Sequence, residues 1–227
     1  MSFVMPRNPA IRRRSWRRMW LMPLVALLLV FLATTTLTPA SAATTISSSP
    51  ENNAYASNFG SDRQVSRLGW GVREVSGRGP GTWNIAVASA AGVRLRTMAV
   101  AFQVILRSDV LGPVRAYSQA LADNRRCVMS CTTAAIAYQF EVASKATITL
   151  SSAANDALQR IHEQLAHLVN SAATSAELLG GVDALAARLH TALADNVTTE
   201  PGPNGGRWHA KPGTAPAITI TVHRATA

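Results

Sequence analysis

Thr97-Met98-Ala99-Val100-Ala101-Phe102-Gln103-Val104-Ile105-Leu106 is the stretch on which the fold turns. Met98, Val100, Phe102, Val104 and Leu106 alternate with the small or polar Thr97, Ala99, Ala101 and Gln103. A period of two places the bulky set on one side of a pleated ribbon, so the segment reads as a half-buried strand. The run recurs 36 residues later as Thr133-Ala134-Ala135-Ile136-Ala137-Tyr138-Gln139-Phe140, with Ile136, Tyr138, Phe140 and Val142 on the bulky side. Upstream, Trp83, Ile85 and Val87 alternate with Asn84, Ala86 and Ala88 after the turn signal Arg78-Gly79-Pro80-Gly81. Asn84, Ala86 and Ala88 find a looser echo in Ser118, Ala120 and Ala122 at a shift of 34, and the two-residue difference is assigned to the turn.

Two related strand–turn–strand units follow, at about 83–106 and 117–142, with one large-residue face and one alanine face. The period then changes. Ala154, Leu158, Ile161, Leu165 and Leu168 recur at spacings of three and four after the cap candidates Ser151 and Ser152, predicting a helix over about 152–171. Leu178, Val182, Leu185, Leu189 and Leu193 predict a second over about 176–197, with Ser175 as a cap candidate and Gly180-Gly181 as a place for a late start or kink. After the linker Glu200 to Gly206, alternation at 217–223 predicts a last strand. The expected fold class is α+β: an antiparallel sheet of two related strand-turn-strand units packed against two C-terminal helices, plus a last strand. The polar, aperiodic residues 43–64 read as a disordered tether before a single domain over 65–227.

Residues 1–42 read as an export leader. Arg12, Arg13, Arg14, Arg17 and Arg18 precede an apolar run from Met19 to Ala33, and Ala40-Ser41-Ala42 is a small-x-small cleavage signal, which places cleavage between Ala42 and Ala43. The alternative is an uncleaved anchor, but the apolar run is shorter than the roughly 20 residues a spanning helix needs. The arginine pair before Met19-Trp20-Leu21 is similar to a twin-arginine export signal, interrupted by Trp16. The whole chain carries a net charge of +10, yet six of its 22 basic residues and none of its 12 acidic ones lie in the leader. The remainder, 16 basic against 12 acidic, is only +4. No run of basic residues interleaved with aromatics is left, so a nucleic-acid partner is not expected.

Asn84-x-Ala86-x-Ala88, Arg96-Thr97-Met98-Ala99-Val100-Ala101-Phe102-Gln103-Val104 and Asn124…Cys127…Cys131…Ala135-Ile136-Ala137-Tyr138-Gln139 resemble a family of secreted proteins from high-GC Gram-positive bacteria. Its members pair two Cys-x-x-Cys motifs, each just before a Thr-x-Ala-x-Ala-aromatic-Gln strand. Some relatives are labelled peptide zinc metalloproteases, although the family has no established activity. The resemblance covers roughly 65–195. Gly92 and Leu95 stand where the first cysteine pair would be, and the second pair is respaced to Cys127-Val128-Met129-Ser130-Cys131. In an oxidising compartment these two cysteines, the only ones in the chain, read as a disulfide closing a turn, with free thiols and metal or redox chemistry as alternatives.

The metalloprotease label meets the histidines at His162-Glu163-Gln164-Leu165-Ala166-His167. The zincin motif needs histidines four apart on a helix; five apart, the rings diverge by about 140°. They read instead as solvent-facing residues flanking a leucine stripe, while His190, His209 and His223 stand alone. No nucleophile elbow, phosphate loop or carboxylate pair appears, so no catalytic, cofactor or metal residue is assigned. Two functions remain as expectations. One is a non-catalytic secreted or cell-envelope domain, binding a protein or envelope component through a sheet edge or the alanine face and meeting the membrane only through its leader. The other is an enzyme or accessory in peptide processing.

Overall fold

The computed structural model describes residues 51–61, 63–76, 81–108, 115–200 and 217–227; the leader with its expected Ala42/Ala43 cleavage site, residues 43–50 and the linker 201–216 lie outside them. Within the described residues nine strands and two helices follow one another as β1 (Glu51–Ser61), β2 (Gln64–Ser76), β3 (Thr82–Val93), β4 (Arg96–Ser108), β5 (Ala116–Met129), β6 (Thr132–Ala143), β7 (Thr147–Leu150), α1 (Ser152–Asn170), α2 (Ser175–Asn196), β8 (Val197–Glu200) and β9 (Thr219–Thr226). The structure is mostly β. A first sheet has the order β1-β3-β5, a second the order β2-β4-β6-β9, and β7 and β8 form a short ribbon beside the helices.

The expected antiparallel sheet is not what forms. All pairings inside the first sheet, and β2-β4 and β4-β6 in the second, are parallel; only β6-β9 and β7-β8 run antiparallel. The two strands of each repeat unit therefore belong to different sheets, and the units stack as successive coils of a short solenoid. The side-chain pattern explains the choice. Both strands of a unit carry an alanine face, and folding the chain across the turn, rather than into a hairpin, lays those faces against each other. Ala54, Ala56, Ala86, Ala88, Ala99, Ala101, Ala135 and Ala137 form this buried inner layer. The alanine face is thus an interior and not a binding surface.

Short side chains let the sheets approach so closely that one asparagine spans the gap. Asn84, fully buried on β3, donates to Ala101 O at 3.2 Å and Tyr138 O at 2.8 Å in the opposite sheet. Asn52 does the same one coil earlier, donating to Asn84 Oδ1 at 2.7 Å and Phe102 O at 2.8 Å. A buried amide left unpaired would cost roughly 1–3 kcal/mol, so this ladder fixes the coil register as well as the spacing.

The sequence offsets are the registers. Arg96–Arg107 pair with Thr132–Ala143 at a shift of 36, and Thr82–Ser89 pair with Ala116–Asp123 at 34. The two extra residues are not in the turn, as expected, but enter β5 at two register shifts, between Ser89 and Ala91 and between Gly92 and Val93. The β3–β4 and β5–β6 turns then superpose, with Arg94 and Ser130 both left-handed at φ 50° and 47°. Glycine is required just before the first of them: at φ 147°, a Cβ on Gly92 would sit 1.9 Å from Gly60 O.

Glu51–Ser61, read from sequence as part of a tether, is β1, and with β2 it makes an earlier coil at a shift of 32. The bulky face of β4 and β6 lies under the helices: Met98, Val100, Phe102, Val104, Leu106, Ile136 and Phe140 pack with Leu158, Ile161, Leu165, Leu178, Val182 and Leu189. At roughly 1.5–3 kcal/mol for each large side chain, this layer carries most of the hydrophobic stabilisation. Ser151 caps α1, accepting from Ala154 N, and Thr174, rather than Ser175, caps α2 in a capping box with Glu177. Gly180 and Gly181 leave α2 unbroken. A Cβ on Gly181 would come within 2.7 Å of Leu168 Cδ2, so that glycine allows the helices to close together. Arg96 ties the helix layer down by donating to Ser171 O and Ala173 O between the helices.

Candidate binding groove

Parallel stacking leaves the two sheets unequal. The second gains β9 beside β6, fastened where Arg224 donates to the Tyr138 hydroxyl at 2.9 Å and to Asp183 of α2 at 2.9 Å, while the Tyr138 hydroxyl donates to Asp183 at 2.6 Å. Burial and the neighbouring Asp183 carboxylate push the Tyr138 hydroxyl up to about 12. Burial alone would raise Asp183, but hydrogen bonds from Arg224 and Tyr138 outweigh it and hold the carboxyl below its ordinary value. The first sheet stops at β5, and no described strand pairs with its outer edge.

Between the start of β5 and β9 lies an open cavity of about 710 Å³, lined by Trp83, Arg107, Arg115, Ala116, Tyr117, Glu141, Thr221 and His223. That volume is in the range of ligand sites. Each lining residue is placed by the period of two. Glu141 sits on the inner face of β6, with Thr221 of β9 beside it in register, and His223 stands next to the buried Gln139. Arg107, on the same face at the end of β4, pairs with Glu141; their side chains are 6% and 12% exposed. The pair leaves little net charge of its own, so Arg115, which makes no ion pair among the described residues, sets the sign of the rim. On the neighbouring inner row, Arg73 is buried with Nε and Nη1 lacking hydrogen bonds, which adds positive potential to this end of the sandwich.

A platform continues from the groove. Among the described residues no helix covers the outer face of the first sheet, and Tyr55 (55%), Phe59 (62%), Trp83 (41%), Tyr117 (48%) and Leu121 (50%) are exposed on it. Trp83 and Tyr117 are register neighbours, as are Tyr55, Val87 and Leu121, so they form cross-strand rows instead of scattered residues.

The residues singled out in the sequence lie elsewhere. Cys127 and Cys131 are joined by a disulfide with their Cα atoms 5.9 Å apart, closing the β5–β6 turn at the far end of β5 from the groove. His162 and His167 do not converge, and both are exposed, as expected; His162 stacks on Trp70 with centroids 5.0 Å apart, and partial desolvation there lowers its pKa. No group of three or more His, Cys, Asp or Glu side chains comes together among the described residues. His209 lies outside the described residues, and of the described isolated histidines, His190 and His223, only His223 reaches the groove; Arg107, Arg115 and Glu141 were not candidates from sequence, because only coil stacking brings them together. No helix among the described residues is long and apolar enough to cross a membrane. No protein-family model matches the chain, and neither a curated protein nor a solved structure does.

Proposed function

We propose that the chain is an exported, non-catalytic binding domain of the cell envelope or extracellular space, which holds its partner at the β5–β9 groove and the adjoining aromatic rows. The observation that carries this reading is the exposed Trp83–Tyr117 row running into a cavity whose rim is cationic. Clustered aromatics beside a few polar groups are what recognition surfaces use, whereas isolated exposed apolar residues mean little. The leader and the disulfide support an oxidising, exported setting. The buried alanine face leaves the free sheet edge, of the two surfaces considered from sequence, as the available one. No observation in the groove favours peptide-processing chemistry.

The test is retention of the purified protein on isolated cell walls and membranes, compared with Trp83→Ser/Tyr117→Ser. Saturable retention that drops by about tenfold in the double variant, with an unchanged melting temperature, is the expected result. Equal retention of both proteins would remove the groove and its aromatic rows from the function.

A further inference from the structure

The groove's shape specifies its occupant more closely, on the assumption that it is a binding site at all. Thr82 N donates to Arg115 O at 3.0 Å, which turns the backbone groups of Arg115, and by alternation those of Tyr117, Gln119 and Leu121, toward β3. The N–H and C=O groups of Ala116, Ser118, Ala120 and Ala122 therefore point out of the open edge. Among the described residues this edge carries none of the usual guards. From Ala116 to Ala122 it has no proline, no charge and no register shift, and its inward side chains are small. In the other sheet the corresponding side is closed by β9, whose inward-facing Thr219 and Thr221 remain exposed beyond β5 as a shelf for one more strand. The rim where that strand would begin or end carries Arg115 and His223, and the carboxylate of Glu141 is already matched by Arg107.

We propose that an extended peptide segment of a partner protein adds to β5 as the fourth strand of the first sheet, with a carboxylate side chain lying against Arg115. Main-chain hydrogen bonds to Ala116, Ser118, Ala120 and Ala122 supply affinity that is indifferent to sequence. Small side chains facing Thr221 and His223, larger ones continuing the Tyr117 and Leu121 rows, and the carboxylate at the rim supply specificity. No covalent step is involved.

The probes are synthetic peptides of about eight residues that alternate threonine and valine and differ only in carrying Glu, Gln or Lys near one end, titrated into the purified protein by fluorescence anisotropy. The Glu peptide should bind at least about tenfold more tightly than the Lys peptide, and Arg115→Glu should reverse that order. Proline at an edge position whose N–H faces solvent is compatible with a strand, so Ala120→Pro should weaken the Glu peptide by about tenfold or more with an unchanged melting temperature. Hydrogen exchange on the unaltered protein gives a second readout that needs no variant: the Glu peptide should protect the amides of Ser118, Ala120 and Ala122. No saturable binding of any of the peptides, or Glu-peptide binding without protection of those amides, would overturn strand addition. So would a protein that is already dimeric through this edge, or that binds peptide only after 202–214 are shortened, since a second copy or the chain itself would then be the fourth strand. If the protein is retained on envelope fractions and folded Ala120→Pro is retained equally well, strand addition fails while the binding reading stands. Loss of envelope retention by the unaltered protein would remove the binding reading as well.

Discussion

The outer faces of the two sheets carry the same kind of alternating large residues and meet opposite fates. On the second sheet Met98, Val100, Phe102, Val104 and Leu106 are at most 1% exposed beneath α1 and α2; on the first, Trp83, Tyr117, Leu121 and Tyr55 remain about half exposed. Alternation therefore identifies a strand and divides its residues into two faces, but it does not say which bulky face finds a cover. The cover is decided by tethering: Arg96 and the Tyr138–Asp183–Arg224 cluster fix both helices to the second sheet.

Substitutions that differ only in face should separate accordingly. The largest effect is expected at the helix–sheet layer, where Leu165 is fully buried. Leu165→Asp places an unpaired charge there and should cost more than about 4 kcal/mol in chemical denaturation. Phe102→Ala should cost about 3–5 kcal/mol, against less than about 1 kcal/mol for Tyr117→Ala at the exposed row. A comparable loss at both positions would mean that the first sheet is also covered.

Between the sheets the sign of the size effect reverses. Ala88 is fully buried in the alanine layer, so Ala88→Leu should destabilise by about 1–3 kcal/mol through overpacking. The same enlargement at Ala91, on the outer face of β3, should be nearly neutral. Opening the disulfide with Cys127→Ser/Cys131→Ser closes no long loop and should cost at most about 2 kcal/mol with unchanged circular dichroism.

The smallest effect is a pH dependence confined to the covered face. The Tyr138 hydroxyl is raised from 10.0 to about 12 in the folded chain, so the unfolded chain loses that proton first. Its contribution is complete below pH 10.0 and should decline as the pH rises toward about 12, a loss that Tyr138→Phe should flatten.

Much of this was legible in the sequence. Offsets of 36 and 34 are the registers of β4–β6 and of β3 with the first part of β5, and both helices lie within a residue of the ranges read from their leucine stripes. Strand direction was not legible, because stacking of like residues is satisfied by parallel coils and its trace in sequence is the same repeat that a pair of hairpins would leave. The first coil was missed although Asn52-x-Ala54-x-Ala56 repeats Asn84-x-Ala86-x-Ala88. Glu51, Asn53 and Ser57 interrupt the outward row of β1, so Tyr55 and Phe59 alone do not make the continuous bulky alternation that marks a strand in sequence. The groove was out of reach because Arg107, Arg115, Glu141 and His223 share no local pattern; three strands and a returning fourth bring them to one rim.

The parallel stack with its open outer face is tested most directly by bridging thiols. In the Cys127→Ser/Cys131→Ser background, Val87→Cys/Leu121→Cys places two thiols on adjacent strands in register, about 5 Å apart across the exposed face. A short bis-alkylating reagent should bridge that pair in the folded protein and leave Val87→Cys/Val100→Cys unbridged, because the two residues face out of opposite sheets. Bridging of Val87→Cys/Val100→Cys in place of Val87→Cys/Leu121→Cys would mean that β3 and β4 form a hairpin with their bulky residues on one face of a single sheet, and would contradict the coil stack.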